Sequence, residues 1–420
     1  EATDERGYGM DWESSGTFND AEVSGSGQMG GILSLRESSE PFPMQGEVSF
    51  GETRIAVEGA MTAPKGLASL DVQFKLAGSS LADLNALFGL ALPGTPPYSS
   101  EGRLVAMLEG EQDLWRYEDF TGKVGDSDLR GTLEYRVGGE RPVLAGKVAS
   151  DLLHFKDLGP LIGMDTSGGN AKDSKEAKVA KTAQENGTDG AQDDATDEGK
   201  SERRDEGKEE GKDEEKKEDE RVQPKNKVLP VARIGSETWD LMDADVHFQG
   251  KRIVQKENLP LDNIEAHVLL QDRVLSFEPL NFGVAGGTLS NTLHIDGQGE
   301  VLQARMQTQA RGLKLKQLFP GADSMDASFG ELHGGAQLQG SGDSIASLLG
   351  SSNGEMSLAL SRGTISRFLM EAAGLNVANV IFVKLFGDEQ VMLECMVADF
   401  TVKDGLMQTR AFVIETEDAV

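Results

Sequence analysis

Apolar and polar residues alternate one by one along much of this chain. Leu70-Asp71-Val72-Gln73-Phe74-Lys75-Leu76 and Thr132-Leu133-Glu134-Tyr135-Arg136-Val137 follow that rule, as do Ile264-Glu265-Ala266-His267-Val268 and Met356-Ser357-Leu358-Ala359-Leu360. Period two puts every apolar side chain on one face of a strand and every polar one on the other. The pattern predicts antiparallel strands with one dry face and one wet face. Turn dipeptides such as Gly138-Gly139, Asp296-Gly297 and Asp404-Gly405 separate such runs.

Short helical pieces interrupt the strands. Residues 81–90 carry Leu81, Leu84 and Leu87 at helical spacing, after Gly78-Ser79-Ser80 and before Pro93-Gly94. Residues 152–162 and 313–319 are similar. The longest helical stretch is 366–386, broken around Gly374 and apolar on much of its surface through Phe368, Leu369, Leu375, Val380, Ile381, Phe382 and Leu385. It is expected to cap the sheet core; plugging one end of a groove or touching a membrane or partner is the other reading.

The elements recur. Leu114-Trp115-Arg116-Tyr117-Glu118, followed by the run from Val124 to Leu133, resembles Val274-Leu275-Ser276-Phe277-Glu278, followed by the run from Val284 to Leu293, at a constant offset of 160 residues. Each copy runs through further strands into a Leu-rich helical piece, and a weaker third copy precedes Leu81. Repeating units that cannot bury an apolar face alone predict an elongated, stacked architecture. Between the copies, residues 165–227 hold 14 Lys or Arg and 20 Asp or Glu but almost nothing apolar. That composition cannot offset the entropy of ordering a backbone, so a disordered charged linker is expected. The organisation is thus a β-rich N-terminal region (1–164), the linker (165–227) and a β-rich C-terminal region (228–420) with the helix near 366–386.

Charge narrows the partners. The chain has 420 residues, a formal charge of -30, 38% hydrophobic residues and 51 glycines. No basic face is available for nucleic acid, and anionic membrane surfaces repel such a chain, so membrane attachment must be hydrophobic. The single cysteine, Cys395, excludes an internal disulfide scaffold and a Cys-rich zinc site. No apolar run is long enough to span a bilayer as a helix, and no signal peptide is visible. The chain starts at Glu1 without an initiator Met and stops at Val420 just after a strand; both ends read as cut, with a targeting or anchoring segment expected outside the piece.

Catalytic chemistry finds little support. Gly25-Ser26-Gly27-Gln28-Met29-Gly30 matches a dinucleotide-binding glycine pattern, but a strand at 32–35 follows where a helix is required, so a turn between strands is expected. None of His154, His247, His267, His294 and His333 is paired at a metal-ligand spacing, and His247, His267 and His294 fall on the polar phase of their strands. Cys395 sits in an apolar run and reads as a buried structural thiol. Asp193-Asp194 and Asp197-Glu198 lack calcium-loop spacing. No catalytic residue, metal or cofactor is assigned.

A wholly apolar sheet face must pack on another sheet, on helices or on a ligand. The alternation alone leaves two readings open: ordinary β-sandwiches whose dry faces cover each other, or a curled sheet that shelters a ligand.

Several stretches together resemble the AsmA family of bacterial envelope proteins. They are Ser80-Leu81-Ala82-Asp83-Leu84-Asn85-Ala86-Leu87-Phe88-Gly89 with Pro93, Pro96-Pro97-Tyr98 and Glu101-Gly102-Arg103-Leu104; Val124-Gly125-Asp126-Ser127; Arg141-Pro142-Val143-Leu144; and Asp157-Leu158-Gly159-Pro160-Leu161-Ile162-Gly163. Beyond the linker they are Val228-Leu229-Pro230, Asp243-Ala244-Asp245-Val246, Pro279-Leu280 with Ala285-Gly286-Gly287, and Phe400-Thr401-Val402-Lys403-Asp404-Gly405. The resemblance spans roughly 67–420 outside the linker and lies in the order and spacing of these motifs. It implies a mainly β fold, an elongated, curved antiparallel sheet forming a groove, related to the bridge-like lipid transfer superfamily. It further implies a periplasmic body anchored to the inner membrane by a segment missing here, which carries phospholipid between the two membranes and supports the outer membrane without enzymatic chemistry. Leu70, Val72, Phe74, Leu76, Leu133, Tyr135, Val137, Leu293, Ile295, Leu358 and Leu360 are the expected groove lining; each is equally suited to an ordinary core. The alternative function is assembly of outer-membrane proteins, by edge pairing with client strands; an envelope enzyme is the least supported.

Overall fold

The structure is a computed structural model and describes residues 7–19, 21–32, 41–62, 69–90, 92, 94–108, 112–158, 229–231, 233–236, 238–254, 261–318, 330–366 and 390–416. The expected linker and nearly all of the helix expected at 366–386 lie outside the described residues.

One 19-stranded sheet accounts for almost everything described. Its first half contains β1 (Tyr8–Phe18), β2 (Ala21–Gly30), β3 (Phe42–Phe50), β4 (Thr53–Thr62), β5 (Ser69–Gly78), β6 (Tyr98–Met107), β7 (Asp113–Val124), β8 (Ser127–Val137) and β9 (Val143–His154). The second half contains β10 (Asp243–Val254), β11 (Leu261–Gln271), β12 (Val274–Val284), β13 (Gly287–Asp296), β14 (Leu302–Lys314), β15 (Glu331–Gly342), β16 (Asn353–Leu360), β17 (Gly363–Ser366), β18 (Gln390–Lys403) and β19 (Leu406–Thr416). Each strand pairs with its neighbour in the chain, except that β16 and β17 both pair with β18, β17 extending the line of β16. The sheet is a mainly antiparallel meander with β1 and β19 at its two edges.

The halves meet in one parallel pairing. β9 and β10 run side by side from Val143 opposite Asp243 to His154 opposite Val254. A parallel pair requires a crossover from one end of the strands to the other. β9 therefore ends at one rim of the sheet and β10 begins at the opposite rim. The step also resets the alternation of strand direction, so β5, β9 and β14 all point the same way. Short helices follow all three: a 3-10 turn Leu81–Asp83 leading into Leu84–Phe88, then Phe155–Leu158 and Leu315–Leu318. They line one rim, called the upper rim here. The helix Ile345–Gly350, which follows β15, lies at the lower rim.

Local chemistry sets these ends. Ser80 caps the first turn by accepting from the Ala82 N–H, and Gly89 closes the helix with φ 68°. Asp157 Oδ2 accepts from the Asp126 N–H, the Ser127 N–H and the Ser127 hydroxyl, tying the short helix to the β7–β8 turn. At the lower rim Ser344 and Ser347 form a capping box.

The 160-residue repeat survives in detail. Helix Phe155–Leu158 recurs as Leu315–Leu318. The bulge between Tyr117 and Phe120 in β7 recurs between Phe277 and Leu280 in β12. A bulge bends the strand and increases its twist, so the repeat reproduces a bend as well as strands.

Three local expectations are corrected. Residues 25–30 are not a turn but part of β2; a Cβ at Gly25, Gly27 or Gly46 would lie within 3.2 Å of the Trp12 ring, so these glycines make room for the indole across the face. Ile32 lies in a turn beyond β2, and 33–35 fall outside the described residues. The helical pieces at 152–162 and 313–319 begin late: strand continues to His154 and to Lys314, because backbone pairing with β10 and β15 holds those residues extended.

Candidate apolar lane on the inner face

The directly opposed residues of successive strands form a continuous row. From the first edge it runs Met10, Met29, Met44, Gly59, Val72, Leu104, Tyr117, Leu133 and Gly146. Across the parallel step it continues Val246, Val268, Phe277, Leu293, Met306, Leu338, Gly354, Val402 and Met407. Every strand except β17 contributes, and no member is charged. At about 4.8 Å per strand the row is roughly 80 Å long. The parallel pairing matters here: an offset of one residue would have turned the second half's apolar side chains to the opposite face.

All the expected lining residues project from this one face. Leu70, Val72, Phe74 and Leu76 lie on β5, and Leu133, Tyr135 and Val137 on β8. Leu293 and Ile295 lie on β13, and Leu358 and Leu360 on β16, in phase with the row. Their packing differs. Val72, Ile295 and Leu360 are buried, whereas the other eight are only half-buried. Ile295 and Leu360 belong to packed clusters at the rims.

Those clusters are the only extended cores among the described residues. At the upper rim Val284, Ala285 and Leu313 pack with Leu289 and Leu318, and Leu315, Leu360 and Leu393 pack with Leu332 and Ile414. At the lower rim Trp239 packs with Ile295 and Leu302. Trp239 comes from the described parts of 229–242, which run along that rim. There the Ala346 N–H donates to the Pro230 carbonyl and the Ile234 N–H to the Asp343 carbonyl. Arg141 closes the strap: its guanidinium lies 3.3 Å from Asp243 and from Asp272 and donates to the Trp239 carbonyl at 2.8 Å. Sequence reasoning missed this strap; the only signal was a lone Trp between the linker and the first alternating strand.

Between the rims, no second layer of described strands or helices covers the inner face. Phe74 meets Tyr117 edge-on and Tyr117 stacks on Phe120 at 5.1 Å, leaving ring faces along the lane. Several polar groups on this face satisfy each other. The Tyr117 hydroxyl donates to Ser100, Thr308 donates to Asn291, and Asn291 donates to the Leu280 carbonyl. Burial raises the Tyr117 and Tyr135 hydroxyls above their ordinary pKa, which keeps them neutral.

The outer face is the opposite in kind. One position along from the apolar row, Asp11, Gln28, Gln45, Glu58, Gln73, Arg103 and Glu118 form a second row. Arg103 bonds both Asp71 and Glu118, and Asp151 takes Arg130 from β8 and Lys251 from β10. The Arg103 bonds hold the Asp71 carboxyl below its usual range, and Arg130 and Lys251 do the same for Asp151. Cys395 is corrected here: it is partly exposed on the outer face, 3.7 Å from Glu415, and is not a buried thiol. Burial and then Glu415 push the thiol up, so it is a poor nucleophile. No helix of the described residues is long and apolar enough to cross a membrane.

The sequence model of the AsmA family matches residues 2–412. A curated relative, AsmA family protein YhjG from Escherichia coli (strain K12), is 38% identical over 414 residues, covering 98% of this chain and 55% of the relative. The chain thus spans about half the length of that relative. No solved structure matches it.

Proposed function

Because this chain belongs to the AsmA family, we propose that its lane holds the acyl chains of phospholipid and passes them between the inner and outer membranes of a bacterial envelope. The supporting observation is the apolar row running unbroken through every strand but β17, with no layer of described residues over it between the rims. Each methylene taken from water into such a face gains roughly 0.8 kcal/mol, on the order of 10 kcal/mol for a 16-carbon chain. That is the scale of the barrier to moving a lipid through water, and a lane lowers it without bond chemistry. The head group stays at the open side in solvent, and no catalytic step is invoked. On this reading the chain works in the periplasm, attached to the inner membrane through a segment outside this sequence.

The test is direct. The chain is purified gently, extracted with organic solvent and analysed for phospholipid by mass spectrometry, with fluorescent phospholipid uptake alongside. A photoreactive residue at Leu133 should crosslink to lipid; one at Gln73, on the outer face, should not. Absence of lipid together with absence of uptake would overturn the proposal.

A second reading, assembly of outer-membrane proteins, draws on β19. This edge strand exposes Leu406, Met407 and Val413 at 69, 60 and 51%. An apolar edge is a template for an added strand. Crosslinking of unfolded client protein to β19, insensitive to polar substitutions at Phe74 or Leu133, would favour it.

A further inference from the structure

On the outer face, the antiparallel β10–β11 pairing beside the parallel junction brings together residues 20 positions apart in the chain. His247 on β10 and His267 on β11 are directly opposite partners, and their rings stack with centroids 4.1 Å apart and planes within 10°. Asp245, two residues before His247 on the same face, places Oδ1 2.8 Å from His267 Nε2. One donor atom from each residue lies within 4.8 Å of the other two. The expectation that no histidines pair is therefore corrected: the spacing is absent along the chain and present across the strands.

We propose that Asp245, His247 and His267 form a binding site for a divalent transition-metal cation, of the Zn2+, Ni2+ or Cu2+ class. Two imidazoles and one carboxylate are the donor set such ions take, at about 2.0–2.2 Å from the metal. Donors that far from one ion sit about 3.3 Å apart, so binding requires the two imidazoles to turn out of their stacked arrangement until one nitrogen of each converges with the Asp245 carboxylate. The Asp245–His267 contact alone would be an ordinary ion pair. His247 makes it more than that, because it has no hydrogen-bond partner among the described residues and stacks within reach of the pair. Asp245 and His247 are exposed and His267 is partly buried, so water can complete the shell.

The surroundings favour a cation. Glu265 shares this face of β11, and Glu278 lies in the β12 bulge opposite His267. Lys147, which faces His247 from β9, and Lys251, further along the same face of β10, carry the opposing charge. A metal here would link β10 to β11 beside the step that unites the two halves of the sheet.

The experiment is titration of the metal-free full chain with Zn2+ and Ni2+ by calorimetry, and electron paramagnetic resonance with Cu2+. One saturable micromolar site, with two nitrogens in the Cu2+ spectrum, is expected. Losing an outer partner of a ligand already costs on the order of 10-fold in affinity, so H247A and H267A should each cost at least that and remove one nitrogen. D245N should weaken binding less, and H294A and H333A not at all. Circular dichroism and metal-free melting of the variants check that they fold, and Zn2+ should raise the melting temperatures of the parent chain, H294A and H333A alike and by more than those of H247A or H267A. No saturable binding in the micromolar range, or binding that survives the double variant H247A/H267A, overturns the proposal.

Discussion

The rims and the middle of the sheet are built from the same alternation and meet different fates. At the rims, short helices and the 229–242 strap fold over the strand ends, and the apolar side chains there become core: Leu360 is 3% exposed and Leu393 0%. In the middle, the same phase of the same strands has no described layer above it, and Phe74, Leu104 and Leu133 remain half-buried. Alternation therefore specifies a dry face without specifying what keeps it dry. The packed clusters lie at the strand ends, and the centre carries no described layer.

The largest effect should come from opening a rim. Leu393 is fully buried against Leu315 and Leu360. Replacing a buried leucine by alanine costs about 2–5 kcal/mol through lost burial and the cavity left behind. Leu393→Ala should show a loss of that size in chemical denaturation. A loss near zero would mean that the rims are not the core.

Next is the parallel junction. Arg141→Ala removes the contacts to Asp243, Asp272 and the Trp239 carbonyl at once. Charge-assisted bonds of this kind are worth about 1–3 kcal/mol. The loss should appear in hydrogen exchange as faster exchange in β10 and the strap, with β2–β4 unchanged.

The middle should respond less in stability than the rim or the junction, and most in function. Leu133→Asn gives up only part of a leucine's burial, about 1 kcal/mol. The same change puts an amide in the centre of the lane and should reduce fluorescent-lipid uptake several-fold, whereas Leu393→Ala, at a temperature where it is folded, should not. Equal effects of the two variants on uptake would erase the distinction between rim and lane.

Much of this contrast was legible in the residues. The strands, the dry face and the 160-residue repeat all follow from period two and turn dipeptides, and the lining residues fall on one face because phase is a local property. The single sheet was not legible. Whether β9 and β10 pair depends on contacts across a long connection, and the charged stretch 165–227 carries no pattern from which that pairing can be read. The sandwich reading failed for the same reason, since alternation does not say which dry faces meet. Gly25 and Gly27 misled because glycine favours turns by default, and only Trp12, a strand away, explains them in a strand. His247 and His267 are 20 residues apart, and only the β10–β11 register makes them neighbours.

The smallest effect concerns the outer face, which must hold the middle together where the inner face packs little. Asp151 joins β8 to β9 to β10 through Arg130 and Lys251, and Asp71 holds Arg103 of β6 to β5. Both carboxyls are kept below their usual range by these partners. A depressed carboxyl pKa stabilises the fold fully above the unfolded value, near 4, and the contribution is lost as pH falls through the lower folded value. These groups are exposed, so solvent and salt screen them and each contributes little. Melting temperature should be flat from neutral pH down to about 5 and should decline below that. Arg130→Gln should make the decline shallower, because Asp151 then titrates closer to its unfolded value. Since Asp151 ties the first half of the sheet to the second, the acid-induced opening should show first in hydrogen exchange at β8–β10, while the rim cluster around Leu393 stays protected. Opening that began at the rim would place the weak point of the sheet at its ends and reverse the contrast between the two regions.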